Sequence, residues 1–203
     1  MGAPSRPRNR RGQGDRLRAD ILSVATALLD AGAEPAVTLR AVARGVGITP
    51  PSIYPHFLDQ TALMLAVVGQ AFDDLTSRLR SAAAVEDPRQ RLDAICRTYL
   101  DYSQQYPRRY LAMFGELQQP VVISLGTEAM QLLTDSVAAC VASGHSTSTD
   151  PAADALALWL GLHGLAHQRA ISGAFRWPTD ISRRVAESLA HLTTVRPQPT
   201  AVS

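Results

Sequence analysis

The chain of 203 residues contains no lysine, so all 20 of its basic residues are arginine. Arginine codons are mostly GC-rich, which points to a GC-rich bacterial genome rather than to a chemical role. Cys96 and Cys140 are the only cysteines, too few for a disulfide scaffold or a zinc cluster. No stretch approaches the roughly 18 consecutive apolar residues of a membrane span, and the start lacks the apolar region of a secretory signal. These absences predict a cytoplasmic protein with no membrane partner.

What the chain does have is an uneven distribution of charge. Residues 1–18 carry six arginines against Asp15, a net charge of +5, and because the whole chain has +2 the remainder sums to −3. A basic arm on a near-neutral body favours a polyanionic partner near the N-terminus. A merely solubilising tail explains the same charge equally well, and charge alone leaves both interpretations open.

Apolar residues recur at helical spacing along nearly the whole chain, and no alternating strand pattern or internal repeat is visible. Asp87 and Asp150 each precede a proline, which is typical of a helix start because the first helical N–H needs no partner. Gly32 is a typical helix end, and the last helix is predicted to open at Pro178. The sequence predicts an all-α fold of about nine helices.

Residues 38–57 contain the most informative pattern. Thr38 can cap a short helix ending at Gly45, Gly47 can form a turn, and Thr49 can cap a second helix of about residues 50–56. Two short helices joined by a glycine turn are the elements of a helix-turn-helix. The outward positions of the second helix have no acid, which suits a surface pressed against phosphates and base edges. A helical hairpin without DNA-binding function has the same elements.

The segment from Thr38 to Phe57 resembles the DNA-binding signature of the TetR family of bacterial repressors. That signature runs roughly Thr-x-x-x-Ile-Ala-x-x-Ala-Gly-Val-Ser-x-x-x-Leu-Tyr-x-His-Phe, and the upstream Ile21 and downstream Leu63 match as well. Further along, the run from Trp159 to Leu165 is similar to the C-terminal subtype of this family named for its Trp, His and Gly. The resemblance implies a homodimer whose recognition helices enter successive major grooves of a double-stranded operator, from which a small-molecule effector releases it.

The resemblance also implies a domain organisation. An arginine-rich disordered arm is expected at 1–14, the helix-turn-helix domain at 15–60, the effector and dimerisation domain at 61–195, and a frayed tail at 196–203. Helices at 150–174 and 178–194 would form the dimer interface, although a terminal helix pair can as easily cover its own core. A regulator of this kind has no cofactor, is not an enzyme and lies on the nucleoid.

The resemblance places the DNA contacts on one set of positions. These are Thr38, Arg44, Thr49, Pro50, Pro51, Ser52, Tyr54, Pro55, His56 and Gln60. Thr38, Tyr54 and His56 match phosphate contacts, and the positions from Thr49 to Ser52 together with Pro55 match base contacts. Gln60 stands where the family usually has lysine, so one charge-assisted phosphate contact is lost and the arm could replace it. Pro55 removes a helical hydrogen bond, which predicts a short or bent helix, and the prolines leave more of the recognition to DNA shape.

The second domain concentrates aromatic, methionine and imidazole side chains that suit an apolar cavity with a few polar anchors. The predicted effector-binding set is Tyr99, Tyr102, Tyr106, Tyr110, Met113, Phe114, Met130, Trp159, His163 and His167. Ordinary core packing accounts for the same stripes. His163 and His167 lie one turn apart and could chelate a metal, but no acid or cysteine nearby completes a ligand set, so no metal site is predicted.

Three rival functions remain open at this point. A helical ligand-binding protein without DNA activity would bind a small molecule and leave its own promoter unprotected. A helical-bundle enzyme is disfavoured because no nucleophile elbow, glycine-rich phosphate loop or paired acids are present. An activator shares every feature of a repressor, and the effector, the operator and the regulated genes stay unidentified.

Overall fold

The structure is a computed structural model, and it describes residues 13–32, 37–115, 126–171 and 176–193. These residues form eight α-helices and one short 3₁₀ turn, with no strand beyond an isolated bridge between Ser146 and Leu192, which confirms the all-α prediction. The helices are α1 Gln13–Ala31, α2 Leu39–Val46, α3 Gln60–Ala82, α4 Pro88–Gln105, α5 Pro107–Met113, α6 Thr127–Ala142, α7 Pro151–Ile171 and α8 Ile181–Leu189, and the 3₁₀ turn is Pro50–Ser52.

The chain divides into two compact units, with the boundary between Val68 and Gly69. Only Gln13 and Gly14 of the expected arm are described, and they begin α1; the rest of the arm and the expected tail lie outside the described residues. Within the described ranges, no helix combines the length and the apolar character needed to cross a membrane.

Side-chain caps set the starts of four helices, including those predicted at Thr38, Asp87 and Asp150. The carboxylates of Asp59, Asp87 and Asp150 accept the backbone N–H groups of the residues three positions on, at 2.7, 2.8 and 3.1 Å. The hydroxyl of Thr38 accepts the N–H of Ala41 at 3.1 Å. Each cap satisfies a donor that has no partner inside its helix, which is why α2, α3, α4 and α7 begin there.

Three predicted boundaries are wrong. α2 continues through Gly45, and Gly47 ends it in the left-handed conformation at φ 77°. The helix expected at about residues 50–56 is reduced to the 3₁₀ turn Pro50–Ser52. The last helix begins at Ile181 instead of Pro178, because the preceding residues form a turn in which the N–H of Ile181 donates to the Pro178 carbonyl at 3.1 Å.

The first unit is built around one apolar core. Side chains from α1, α2 and the start of α3 enclose Ile53 and Phe57, which follow the 3₁₀ turn. Ile21, Ile53 and Leu63 are fully buried, and each such side chain contributes about 1.5–3 kcal/mol relative to exposure. This core fixes the position of the turn between them.

The second unit packs α6 and α7 against α4, with α8 against α7. Gly161 allows the close approach of α7 and α8, because a Cβ there would lie 2.6 Å from Leu189 Cδ1. The Arg89 guanidinium, in α4, holds the end of the described chain by donating to the Thr193 carbonyl at 2.8 Å and to Glu187 at 3.0 Å.

Both cysteines are buried and free, and burial raises the pKa of Cys96 to about 12.

Candidate nucleic-acid interface and ligand cavity

The first unit contains a short helix, a tight glycine turn and a second, shorter helical element. The Gly47 N–H donates to the Arg44 carbonyl at 3.2 Å and the Ile48 N–H donates to the Ala43 carbonyl at 2.9 Å. This is the pattern of a helix that ends on a left-handed residue, for which glycine has no steric cost. The turn therefore redirects the chain at Gly47 toward the exposed segment that follows.

The segment after the turn presents prolines and hydroxyls. The N–H of Ser52 donates to the Thr49 carbonyl at 2.9 Å, and the N–H of Ile53 donates to the Pro50 carbonyl at 3.2 Å. Pro50 and Pro51 are exposed, and the hydroxyls of Thr49 and Ser52 share a hydrogen bond of 2.9 Å. The hydroxyl of Thr49 is therefore paired with a side chain and does not cap the backbone as predicted.

The remaining predicted DNA-contacting residues border the same segment. Tyr54 is 56% exposed, Pro55, Arg44 and Gln60 are also exposed, and His56 is half-buried. Residues 38–58 include no acid, so no carboxylate in this stretch opposes a phosphate. The arrangement can donate hydrogen bonds to an anionic backbone and can present compact apolar groups to base edges.

Two residues near this surface were missed by the sequence reasoning. Leu58 is 79% exposed, which is unusual for a leucine beside a packed core. The guanidinium of Arg18 in α1 lies 5.0 Å from the ring centre of Phe57, a cation–π contact that holds a positive charge beside the segment. The charge of Arg18 was counted with the arm, but its contact with Phe57 depends on how α1 packs and has no signal in the sequence.

The second unit contains a cavity of about 470 Å³. It is lined by Phe72, Leu75, Ile95, Tyr99, Met113, Phe114, Gly126, Thr127, Ala129, Met130, Gln131, Leu133, Thr134, Leu156, Trp159 and Leu162. The volume lies in the range of about 300–1,000 Å³ that is usual for small-molecule sites, and the lining is mainly apolar.

Five of the predicted effector residues line this cavity: Tyr99, Met113, Phe114, Met130 and Trp159. Tyr102 faces the core, where its hydroxyl donates to the Ala71 carbonyl at 3.0 Å. The ring of Tyr106 instead contacts the guanidinium groups of Arg78 and Arg109, which lie 5.1 and 4.3 Å from its centre. Apart from Met130, the lining residues that α3 and α6 supply were not predicted. They are ordinary Phe, Leu, Ala and Thr side chains, which the sequence alone does not distinguish from core.

Tyr110, His163 and His167 form a polar cluster with the cavity-lining Tyr99 and Trp159. The hydroxyls of Tyr99 and Tyr110 share a hydrogen bond of 3.0 Å, and the Tyr110 hydroxyl lies 2.8 Å from His163 Nδ1. The His163 ring stacks on Trp159 with centroids 5.2 Å apart, and His167 lies beyond it at 6.2 Å. Tyr110 and His163 thus support the cavity wall and do not line it themselves.

Burial favours the neutral forms of Tyr99, Tyr110 and His163. It raises the pKa of both Tyr99 and Tyr110 well above the ordinary value of a phenol. Burial also lowers the pKa of His163, and the nearby His167 lowers it further. His163 is therefore a neutral imidazole at neutral pH. Among the residues that the structure describes, no group of three His, Cys, Asp or Glu side chains could hold a metal ion.

Comparison with known families finds two matching models that lie in different parts of the chain. Residues 21–67 match the model for bacterial regulatory proteins of the tetR family, and residues 92–192 match a tetracyclin repressor-like C-terminal domain. The first match contains the glycine turn and the exposed segment. The second contains α6, α7, α8 and most of the cavity lining.

Among curated proteins, the chain is similar to the HTH-type transcriptional activator FasR of Mycolicibacterium smegmatis, with 29% identity over 135 residues. That alignment spans 64% of this chain and 62% of the relative, which is less than two thirds of the relative's length.

Solved structures with the same fold cover more of the chain. A protein of unknown function from Rhodococcus sp. RHA1 has a TM-score of 0.75 at 24% identity, covering 90% of this chain and 97% of that one. A TetR/AcrR-family regulator from Thermobifida fusca has a TM-score of 0.68 at 21% identity, covering 87% and 97%. At these identities the likeness is one of fold.

Proposed function

This chain belongs to the TetR family of transcriptional regulators, and from that membership we propose that it binds a pseudo-palindromic DNA operator as a homodimer whose affinity a small molecule controls. As a member of a family of regulatory proteins it is not an enzyme. The observation that carries the proposal is the acid-free exposed segment that the glycine turn at Gly47 presents on the first unit.

The DNA contacts that we propose divide into two kinds. Thr38, Tyr54, His56 and Gln60 would donate to phosphate oxygens and fix the position on the duplex, with Arg44 adding charge. Pro50, Pro51 and Pro55 cannot donate, so they would pack against thymine methyl groups while Thr49 and Ser52 hydrogen-bond to base edges. Thr49 and Ser52 share a hydrogen bond in which either hydroxyl can be the donor. Each oxygen keeps a free lone pair, and the hydroxyl that accepts keeps its own proton. Either side chain can therefore still hydrogen-bond to a base.

The homodimer is supported by apolar side chains that α7 leaves uncovered. Leu156, Leu160 and Ile171 are 49%, 56% and 57% exposed, and the first two lie one turn apart on one face. α8 packs beside α7 through Gly161, so two copies of this pair would make a four-helix interface. We further infer that the second unit is of the Trp-His-Gly subtype, for which the stacking of Trp159 on His163 is the structural support.

Repression with release by an effector is the first form of regulation that we propose. The cavity of the second unit would bind the effector, and occupancy would favour a dimer geometry that no longer matches successive major grooves. Activation is the second candidate, and the similarity to the activator FasR favours it. Transcription of the operator-bearing template with and without the protein separates the two, and in either form the protein acts at DNA in the cytoplasm.

The test begins with selection of sites from a pool of random duplexes by the purified full chain, followed by footprinting. We expect a two-fold symmetric site. Tyr54→Phe, which removes one phosphate donor, should weaken binding to all sequences by roughly tenfold. Ser52→Ala should instead change which bases are preferred.

Tyr106→Phe in the second unit is the matched control and should leave DNA affinity unchanged. A failure to bind any duplex at low ionic strength would refute the proposed function. Equal affinity and equal base preference in the wild type, Tyr54→Phe and Ser52→Ala would refute the contact assignment alone.

A further inference from the structure

The cavity of the second unit has an electrostatic character that restricts its ligand. We propose that it binds a predominantly apolar molecule that carries no negative charge, an inference that rests on the proposed function only in calling this molecule the effector.

The floor of the cavity contains no ionised group. None of the described lining residues is Asp, Glu, Lys, Arg or His, and Phe72, Leu75, Ile95, Met113 and Leu162 make its deep part apolar and buried. An ionised ligand group placed there would lose its hydration without gaining a counter-charge, which is strongly unfavourable. The deep part therefore takes an alkyl or aromatic body.

Two hydroxyl groups of the wall are already paired. The Tyr99 hydroxyl is engaged with Tyr110, and the Thr134 hydroxyl donates to the Met130 carbonyl at 3.0 Å. These two hydroxyls therefore do not offer a ligand the free donors that a carboxylate or phosphate needs. Affinity must then come mainly from apolar burial.

Acids lie beside the exposed lining residues of α6. Thr127 and Gln131 are exposed, and the amide nitrogen of Gln131 donates to the Asp135 carboxylate at 2.8 Å. Asp135 therefore occupies one of the two N–H donors of Gln131 and adds a negative charge beside this lining residue.

Glu128 lies in the first turn of α6, next to Thr127. Its carboxylate already complements the positive end of the α6 dipole and is paired with Arg80. Among the described residues beside this part of the lining, two acids stand against one arginine, so a negatively charged head group there is repelled rather than held.

The test compares probes of equal chain length and different charge on the full protein by isothermal titration calorimetry. Decanol, decanoate and decyltrimethylammonium share an apolar chain, so their affinities differ only through the head group. At low ionic strength we expect decanoate to bind at least about tenfold more weakly than decanol, since the charge is opposed both by desolvation and by the acids beside the lining. Decanoate binding as tightly as decanol, or no binding of any probe, would overturn the proposal.

Two variants test whether the probes bind in this cavity. Ala129→Trp fills the space from α6 and should abolish decanol binding, whereas Ala138→Trp, on an exposed position of the same helix that does not line the cavity, should not. Equal decanol binding by these two variants would place the ligand elsewhere and refute the proposal.

A third variant tests the effect of the acidic side chains beside the lining. Asp135→Asn keeps a polar partner for Gln131 and removes one negative charge, so decanoate affinity should rise while decanol affinity stays the same. An equal change for both probes would contradict it. Binding to the selected duplex is measured on the same preparations. A failure to bind DNA would refute the proposed function, whereas the relative affinities of the probes test only the proposed ligand class.

Discussion

The hydroxyl group of Thr38 caps α2, and we propose that it also contacts DNA. Its oxygen accepts the Ala41 N–H at 3.1 Å, which leaves the hydroxyl proton free to donate to a phosphate. We predict that Thr38→Ala lowers the free energy of unfolding by about 1 kcal/mol, the usual value of an N-cap, and also weakens DNA binding. Thr38→Ser keeps the hydroxyl and should retain both properties. Urea denaturation and titration of the selected duplex measure them, and an alanine variant that equals the wild type in both would show that the cap contributes nothing.

His163 makes the stability of the second unit depend on pH. Burial lowers its pKa in the folded protein, so the unfolded chain, with a histidine pKa of about 6.5, binds the proton more readily. The stabilisation from the neutral ring is therefore complete above about pH 6.5 and is lost as the pH falls through that value toward the lower folded pKa. We predict that His163→Gln shows a smaller fall in Tm between about pH 7.5 and 5.5 than the wild type.

Leu133→Ala is the control for that comparison, because it removes buried apolar contacts without removing a titratable group. It should lower the Tm at both pH values and keep the fall of the wild type. If the fall in His163→Gln is the same as in the wild type, protonation of His163 is not linked to unfolding.

Individual side chains were predictable from the sequence where a local rule determines them. The caps at Asp87 and Asp150 follow from a carboxylate three residues before an N–H that lacks a partner, a relation contained in one turn of chain. Which residues line the cavity is not determined by such a local rule. Tyr99 lines it and Tyr102 does not, although both lie on the buried side of α4, because the neighbouring helices determine what each ring meets.

At the level of elements, α2 depends on a glycine for its contact with α1. A Cβ at Gly45 would lie 2.5 Å from Val24 Cγ1, and a β-branched side chain in a helix has little rotamer freedom with which to yield. Helix propensity alone would make Gly45→Ala stabilising by about 1 kcal/mol. Overpacking costs about 1–3 kcal/mol, so we predict a net loss of stability, measured by thermal unfolding.

Gly69→Ala in α3 is the matched control, because a Cβ there meets nothing within 4 Å, and it should be neutral or stabilising. The double variant Gly45→Ala with Val24→Ala should be less destabilised than the sum of the single variants, since the second change removes the clash. A stabilised Gly45→Ala single variant would contradict the close contact.

For the segment that follows Gly47, the sequence predicts that a helical element is present but not where that element ends. The turn at Gly47 and the cap at Thr38 follow from residue type and spacing, and Pro55 predicts a short or bent second helix. The residue at which this helix ends does not follow, because the rule says only that prolines are tolerated in the first turn and forbidden farther in. The cap predicted at Thr49 is wrong, since its hydroxyl bonds to Ser52. Pro55 lacks the N–H that would continue an α-helix, and the chain closes instead through the His56 and Phe57 N–H groups on the Ile53 carbonyl, at 2.8 and 3.0 Å.

For the whole molecule, charge distribution is the property that the sequence shows most directly and that DNA binding would use. The overall charge is only +2, whereas residues 1–18 carry +5, so attraction to a polyanion depends on which end approaches it. The sequence has separate motifs in its two halves, from which a domain boundary at residues 60 and 61 is predicted. The boundary observed after Val68 lies inside α3, where the sequence has no break in helical pattern to mark it.

The arm is therefore expected to contribute to DNA affinity through charge. Deleting residues 1–12 leaves α1 intact and removes four arginines, at positions 6, 8, 10 and 11. Each phosphate that is no longer neutralised reduces the slope of log K against log salt by about 0.9, so we predict lower affinity and a slope smaller by up to about 3 to 4 per protomer. Arg97→Ala combined with Arg108→Ala removes two exposed arginines from the second unit and should leave the slope unchanged. An unchanged slope in the deletion variant would mean that the arm makes no phosphate contact and that the rest of the chain provides the whole electrostatic attraction.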